Sequence, residues 1–212
     1  MSAEAMRSAS SSDLIELHVE SFAHGGLGVA RCEGKVYFIA DALPNETVRA
    51  EVTQAKNSFA RAVAVEVIEP SPDRVPHVWP EADIELPPSQ RAGGADLGFV
   101  HVQGQRRLKR EVVSDALTRF GGGEIPFNLH AVEPTTQWRS RISLHVNADG
   151  IAGPRAARSH QVIPIDSHPL AHVDIARAAP WSSRYPGAER VDVIASSTGE
   201  LRTVVRGAGF PG

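Results

Sequence analysis

Residues 21–64 read SFAHGGLGVARCEGKVYFIADALPNETVRAEVTQAKNSFARAVA, and nearly every segment of this run carries a β signal. Just before it, residues 14–19 (L-I-E-L-H-V) alternate apolar and polar, the pattern of a half-buried strand. Gly25, Gly26 and Gly28 tolerate positive φ or close backbone approach, as a tight barrel corner requires. Residues 36–39 (V-Y-F-I) form a short β-rich run, read as a strand buried on both faces. Leu43-Pro44-Asn45-Glu46 is a turn signal. After it residues 47–52 (T-V-R-A-E-V) alternate again, and residues 60–68 place Ala and Val on alternate positions. Four or five short strands within about 60 residues, separated by turns, predict a small closed β-barrel.

The same residues resemble a known family. GGLGVAR, then EGKVYFIADALPNETVRAEV, then K-N-S-F-A-R-A, is similar to the TRAM domain, an OB-like RNA-binding barrel. Its glycine-rich turn, its ALPGE-like turn (ALPNE here) and its Lys-x-x-Phe-Ala segment follow in order.

The chain has 212 residues, enough for one large domain or two small ones with a buried core. Its 42% hydrophobic and 22% charged composition is that of an ordinary globular protein. The net charge of −3 gives no global positive field, so any contact with nucleic acid rests on local patches. Cys32 is the only cysteine, which excludes an internal disulfide framework and a cysteine-rich metal site. It is expected to fill a small apolar space in the barrel. No run of about 18 apolar residues is present, so no transmembrane helix is expected. Residues 1–12, rich in Ser and Ala without an apolar stretch, read as a disordered tail rather than a signal peptide. A cytoplasmic protein is expected.

The fold class expected is mixed: a small all-β OB-like barrel over residues 13–69, then an α+β domain with an antiparallel sheet over residues 101–212. Residues 70–100 between them read as a Pro/Gly-rich loop, with six prolines from Pro70 to Pro88. Residues 103–120 (QGQRRLKREVVSDALTRF) are the clearest helix, with Leu108, Val112, Ala116 and Phe120 on one face and Gly121-Gly122-Gly123 as its stop. Strands are expected over residues 141–146 and 161–165, and a second, shorter helix over 169–178. A hairpin is expected from residues 191–196 and 201–206.

The later segments extend the resemblance. Ser71-Pro72-Asp73-Arg74-Val75, the Gly93-Gly94 loop, L-K-R-E-V-V, Trp138-Arg139-Ser140-Arg141 and Ile165-Asp166-Ser167-His168-Pro169-Leu170-Ala171 follow one another. Their order resembles the front half of the RNA (uracil-C5)-methyltransferases that act on rRNA or tRNA, over residues 13–206. Many members of that family hold an iron–sulfur cluster on four cysteines, one pair being Cys-Gly-Gly-Cys. Here Ala92-Gly93-Gly94-Ala95 stands in that place, His168 at the last cysteine, and Val78 or Trp79 near the first. Alanine has no ligand atom, so no iron–sulfur cluster is expected. His77, His160, His168 and His172 are candidate zinc ligands; His168 and His172 would share one face if helical, but no Cys or carboxylate pair completes a set. Surface or hydrogen-bonded histidines are the preferred reading, with no metal site.

The resemblance also implies S-adenosylmethionine as cofactor, bound by a C-terminal Rossmann-like domain carrying the catalytic residues. No glycine-rich strand–turn–helix signature occurs, and Gly207-Ala208-Gly209 does not follow that fingerprint. The expectation is a chain without the catalytic domain and without catalytic residues, inactive alone: a natural truncation, half of a split gene, or a fragment. A separate catalytic domain or chain is then the expected partner, beside RNA.

RNA binding needs cations for phosphates and flat groups for bases. On the barrel the candidates are Arg31, Lys35, Lys56, Phe59 and Arg61. Against them stand a core role for Phe59, a merely solvating role for the charges, and an acidic excess over residues 1–70 of ten against six. Arg106, Arg107, Lys109 and Arg110 are the densest cluster, with a solvated helix face as the alternative. Arg139 and Arg141 match the family's Tyr-Arg-Asn-Arg-like segment, with anchoring of the sheet as the alternative. Arg155 and Arg158 form a further loop cluster. Two functions follow: the RNA-recognition portion of a uracil-C5 methyltransferase, or a free-standing TRAM-type RNA-binding protein. A third, weaker reading is a degenerate fragment without function.

Overall fold

The computed structural model describes residues 14–156 and 159–207. The tail expected over residues 1–12, Arg158, and the residues after Gly207 lie outside them. The chain divides into two compact units, Met1–Pro72 and Asp73–Gly212.

Alternation in the first unit produces six strands: β1 (Leu14–His18), β2 (Ser21–Ala23), β3 (Leu27–Cys32), β4 (Lys35–Ala40), β5 (Thr47–Ala55) and β6 (Phe59–Glu69). They pair in the order β1-β5-β6-β4-β3-β2, all antiparallel except β4 with β6. The two outer strands, β1 and β2, are thus consecutive in the chain, so one bent stretch serves both ends of a curled sheet. Val19, at the bend, donates its N–H to Glu46 O and accepts from Asn45 N, each at 2.8 Å. Glu20 N donates to Val29 O at 2.8 Å, across to β3. Three register shifts between β5 and β6 let the long strands curve. Ala30, Ile39, Val48, Ala50, Ala60, Ala62 and Ala64 are at most 1% exposed, and the small alanines let the walls approach closely. Gly28 belongs to this approach: a Cβ there would stand 2.8 Å from Val19 Cγ1 and 3.1 Å from Ala42 O.

The ALPNE turn is stapled from within. Glu46 is fully buried, and its carboxylate accepts from Leu43 N at 2.8 Å and from Ser71 N at 3.2 Å. Residues 36–38 differ from expectation: they are half-buried, because one side of β4 is left open. Cys32 is likewise half-buried at the end of β3, not a core filler.

The second unit holds a four-stranded antiparallel sheet, β10-β9-β7-β8, from β7 (Arg141–Val146), β8 (Ala152–Gly153), β9 (Arg190–Ala195) and β10 (Leu201–Arg206). One sheet face, with Ile142, Leu144, Val191, Val193 and Ala195, packs on Trp79, Ala92, Ala95, Ile163, Ile165, Ile175 and Trp181. Helix α1 spans Val102–Gly121, within a residue of expectation at either end, and is closed by Gly122 in the left-handed region at φ 77°. Its expected apolar stripe is covered only at the start: Leu108 is buried, whereas Phe120 is 85% exposed. Residues 161–165 are not a strand; Val162 makes an isolated bridge to Arg155, and the rest is irregular while Ile163 and Ile165 fill the core. Helix α2 is Val173–Ala178, starting four residues later than expected, with His172 as its N-cap in extended conformation. His168 and His172 therefore do not share a helix face. Among the described residues no helix is long and apolar enough to cross a membrane.

Candidate nucleic-acid interface

Strand register gathers Arg31, Phe59 and Arg61 of the first unit onto one surface. Because Arg31 pairs with Val36, Val36 with Phe59 and Phe38 with Arg61, all five side chains share the outward face, opposite Ala60 and Ala62. Phe38 and Phe59 meet edge to face at 6.1 Å, and Lys56 Nζ stands 5.4 Å from the Phe59 ring centre. Phe59 is half-buried, so its ring is neither core nor fully free. Arg31 pairs with Glu20 at 2.5 Å, both well exposed, a surface pair that water or a phosphate can replace at small cost. Lys35 pairs with Cys32 on the opposite parity and is not part of this surface.

In the second unit, α1 and the segments 94–102 and 129–139 border an open groove of about 1690 Å³. Arg106, Arg107, Lys109, Arg110 and Arg139 line it, so two clusters separate in sequence converge on one space. They are not equally available. Arg106 is ion-paired with Glu133, and Arg107 with Asp73, whose hydrogen bond and charge raise the arginine's pKa. Arg110 lies over the Phe127 ring at 5.7 Å, and Lys109 is exposed. Arg139 is fixed in place: its Nη2 donates to Gly94 O at 2.8 Å, its backbone bonds to Leu170 and His172, and its guanidinium lies 5.0 Å from the Trp138 ring centre. Trp138 itself is 54% exposed, a flat apolar group at the groove's edge.

Arg141 goes elsewhere. It sits on β7, with its guanidinium 3.6 Å from the Asp192 carboxylate, on the sheet face turned away from the core. Asp192 also accepts from Ser143, from Arg190 at 2.9 Å and from Arg206 at 3.2 Å. Burial alone would raise its pKa; the hydrogen bonds from Ser143 and Arg190 and the charges of Arg190 and Arg141 outweigh it and hold it at about 2.

The positions matching the family's cluster cysteines are packed solid. Trp79 is fully buried, and Ala92, Ala95 and His168 are at most 9% exposed. The Trp79 and His168 rings lie 4.7 Å apart, with Trp181 beyond His168 at 6.4 Å. Two methyl groups and an aromatic stack offer no thiolate, so these residues do not fit an iron–sulfur cluster. Among the described residues no group of three or more His, Cys, Asp or Glu is placed to hold a metal ion. His168 Nδ1 and Trp79 Nε1 are buried without a hydrogen-bond partner among the described residues, and burial, with the nearby Arg139 charge, lowers the His168 pKa to about 4.

Comparison with known proteins follows the same division. Residues 13–65 match the TRAM domain. An uncharacterized RNA methyltransferase of Streptomyces coelicolor is 36% identical over 205 residues, covering 90% of this chain and 44% of that protein. A 23S rRNA (uracil(1939)-C(5))-methyltransferase of Shewanella sp. is 36% identical over 154 residues, covering 70% of this chain and 33% of that protein. Among solved structures, the Pyrococcus abyssi tRNA (uracil-54, C5)-methyltransferase in complex with S-adenosyl-L-homocysteine superposes with TM-score 0.60 at 17% identity. The match covers 90% of this chain and 45% of that one, and shows a shared fold. The chain spans less than half the length of these relatives.

Proposed function

We propose that these 212 residues are the RNA-recognition portion of an S-adenosylmethionine-dependent RNA (uracil-C5)-methyltransferase acting on rRNA or tRNA. The observation that carries the reading is the 36% identity to an RNA methyltransferase across 90% of this chain but only 44% of the relative. The groups that bind S-adenosylmethionine and transfer the methyl then belong to the remaining part of such an enzyme, as a joined domain or a separate chain. In this reading the first unit is an OB-like barrel closed through the bend at Val19. Its outward face offers rings for stacking (Phe38, Phe59) and cations for phosphates (Arg31, Lys56, Arg61). Lys109, Arg110 and Arg139 add cations around the second unit's groove, where Trp138 offers a surface on which an unstacked base can lie.

The test is a titration of a fluorescent uridine-rich RNA hairpin with the protein and with Phe59→Ala and Arg61→Gln. Salt-dependent binding is expected, weakened by both changes; loss of one stacked base corresponds to about 1–3 kcal/mol, or roughly 5- to 150-fold. Negligible affinity at low salt, or affinity indifferent to salt, contradicts the reading.

A further inference from the structure

The core-averted face of the second unit's sheet is unlike the rest of this acidic chain. Register places Arg141, Ser143 and His145 of β7 beside Ile194, Asp192 and Arg190 of β9. These in turn lie beside Arg202, Val204 and Arg206 of β10. Four arginines thus share one face with a single carboxylate, on a chain whose net charge is −3. The carboxylate does not cancel them. Asp192 is 2% exposed at its side chain, whereas Arg141, Arg190 and Arg206 keep 56%, 41% and 57% of theirs in solvent. One buried anion holds three guanidiniums beside it, each with further N–H donors that it does not engage. Arg202 is exposed and has no partner among the described residues.

We infer that this face is a docking surface for the phosphate backbone of RNA. Charge complementarity selects the occupant: guanidiniums spread over three adjacent strands match a polyanion with charges repeated along its length. The guanidinium donors around Asp192 suit phosphate oxygens, which accept from fork-shaped groups. No Phe, Tyr or Trp stands among the described residues of the face, so it positions the backbone and leaves base readout to other surfaces. Asp192 is a positioning residue, ordering the arginines before RNA arrives and so lowering the entropy lost on binding. His145, at the edge of the face, has its pKa lowered by burial and then by Arg155 and Arg190, in keeping with a positive local field.

The inference rests on the proposed RNA-binding function, and its test separates the two. The double variant R141Q/R202Q and the single variant R202E are titrated against the same uridine-rich hairpin over a salt series. Arg177→Glu, on α2, makes the same charge reversal away from the face and serves as control. The inference expects the slope of log affinity against log salt to fall by about one for each phosphate contact removed. R202E is expected to weaken low-salt binding more than R177E. Thermal melting should stay near wild type, since Arg202 holds nothing in the fold. A wild-type slope in both variants overturns the inference while leaving the RNA-binding function standing, and it is also the outcome expected if the face docks a protein. Equal losses in R177E and R202E overturn it too, since net charge alone then accounts for the effect. Absence of wild-type binding overturns the function itself.

Discussion

Trp79 and His168 show how a single position changes meaning once its surroundings are known. In the sequence His168 stands where the related enzymes have a cysteine, and the two alanines at 92 and 95 already exclude a thiolate pair. Only the packing shows what replaced it, a pair of rings 4.7 Å apart inside the core. Trp79→Ala should therefore cost about 3–5 kcal/mol in chemical denaturation, the range for emptying a large aromatic site. The same environment links stability to pH. His168 titrates near 6.5 when unfolded and near 4 when folded, so the unfolded chain takes up a proton between these values that the folded chain excludes. Stability is complete above about pH 6.5 and falls as pH drops toward 4, by up to roughly 3 kcal/mol. Denaturation at a series of pH values checks this, and His168→Phe should flatten the dependence in that window. Asp192 behaves likewise at lower pH: with its folded pKa near 2, its contribution is present above the ordinary carboxylate range and is lost only as pH falls through about 2.

The strands and helices were unevenly legible, for physical reasons. β5 and β6 announce themselves because alternation over Thr47–Ala55 and Phe59–Glu69 reflects a real inside and outside. The limits of α1 are legible because Gly122 ends it in a conformation that glycine adopts freely. The exposure of its second half is not, since an apolar stripe tells only that something could cover it. Phe120→Ser should accordingly change stability by no more than about 0.5 kcal/mol in a melting experiment. Residues 161–165 misled because an apolar run looks like a strand wherever it is buried. Pro164 has no N–H to donate, and Ile163 and Ile165 are buried without a ladder. The curled sheet carries the opposite lesson. Gly28→Ala is expected to destabilise by about 1–3 kcal/mol, because the added methyl meets Val19 and the Ala42 carbonyl where the walls are closest. The glycine was legible as a corner residue, but its neighbours come from chain segments that only the fold brings near.

Over the whole molecule, the candidate site was legible in its residue types and not in its grouping. Lys56, Phe59 and Arg61 lie within one segment and stay together, whereas Arg139 and Arg141, two residues apart, face different surfaces because Arg139 precedes β7, held by Leu170 and His172, while Arg141 begins the strand. The basic sheet face escaped sequence reading because its arginines are scattered along the chain. Arg190, Arg202 and Arg206 are unremarkable singly, and only the register of three strands collects them. A chain of net charge −3 thus binds a polyanion, in this account, through separate local patches rather than through an overall field. The most direct measurement is the affinity of the intact chain for a uridine-rich RNA hairpin across a salt series. A steep linear fall of log affinity with log salt, reflecting several neutralised phosphates, is the expected result. No measurable binding at low salt, or binding that salt leaves unchanged, would contradict the account.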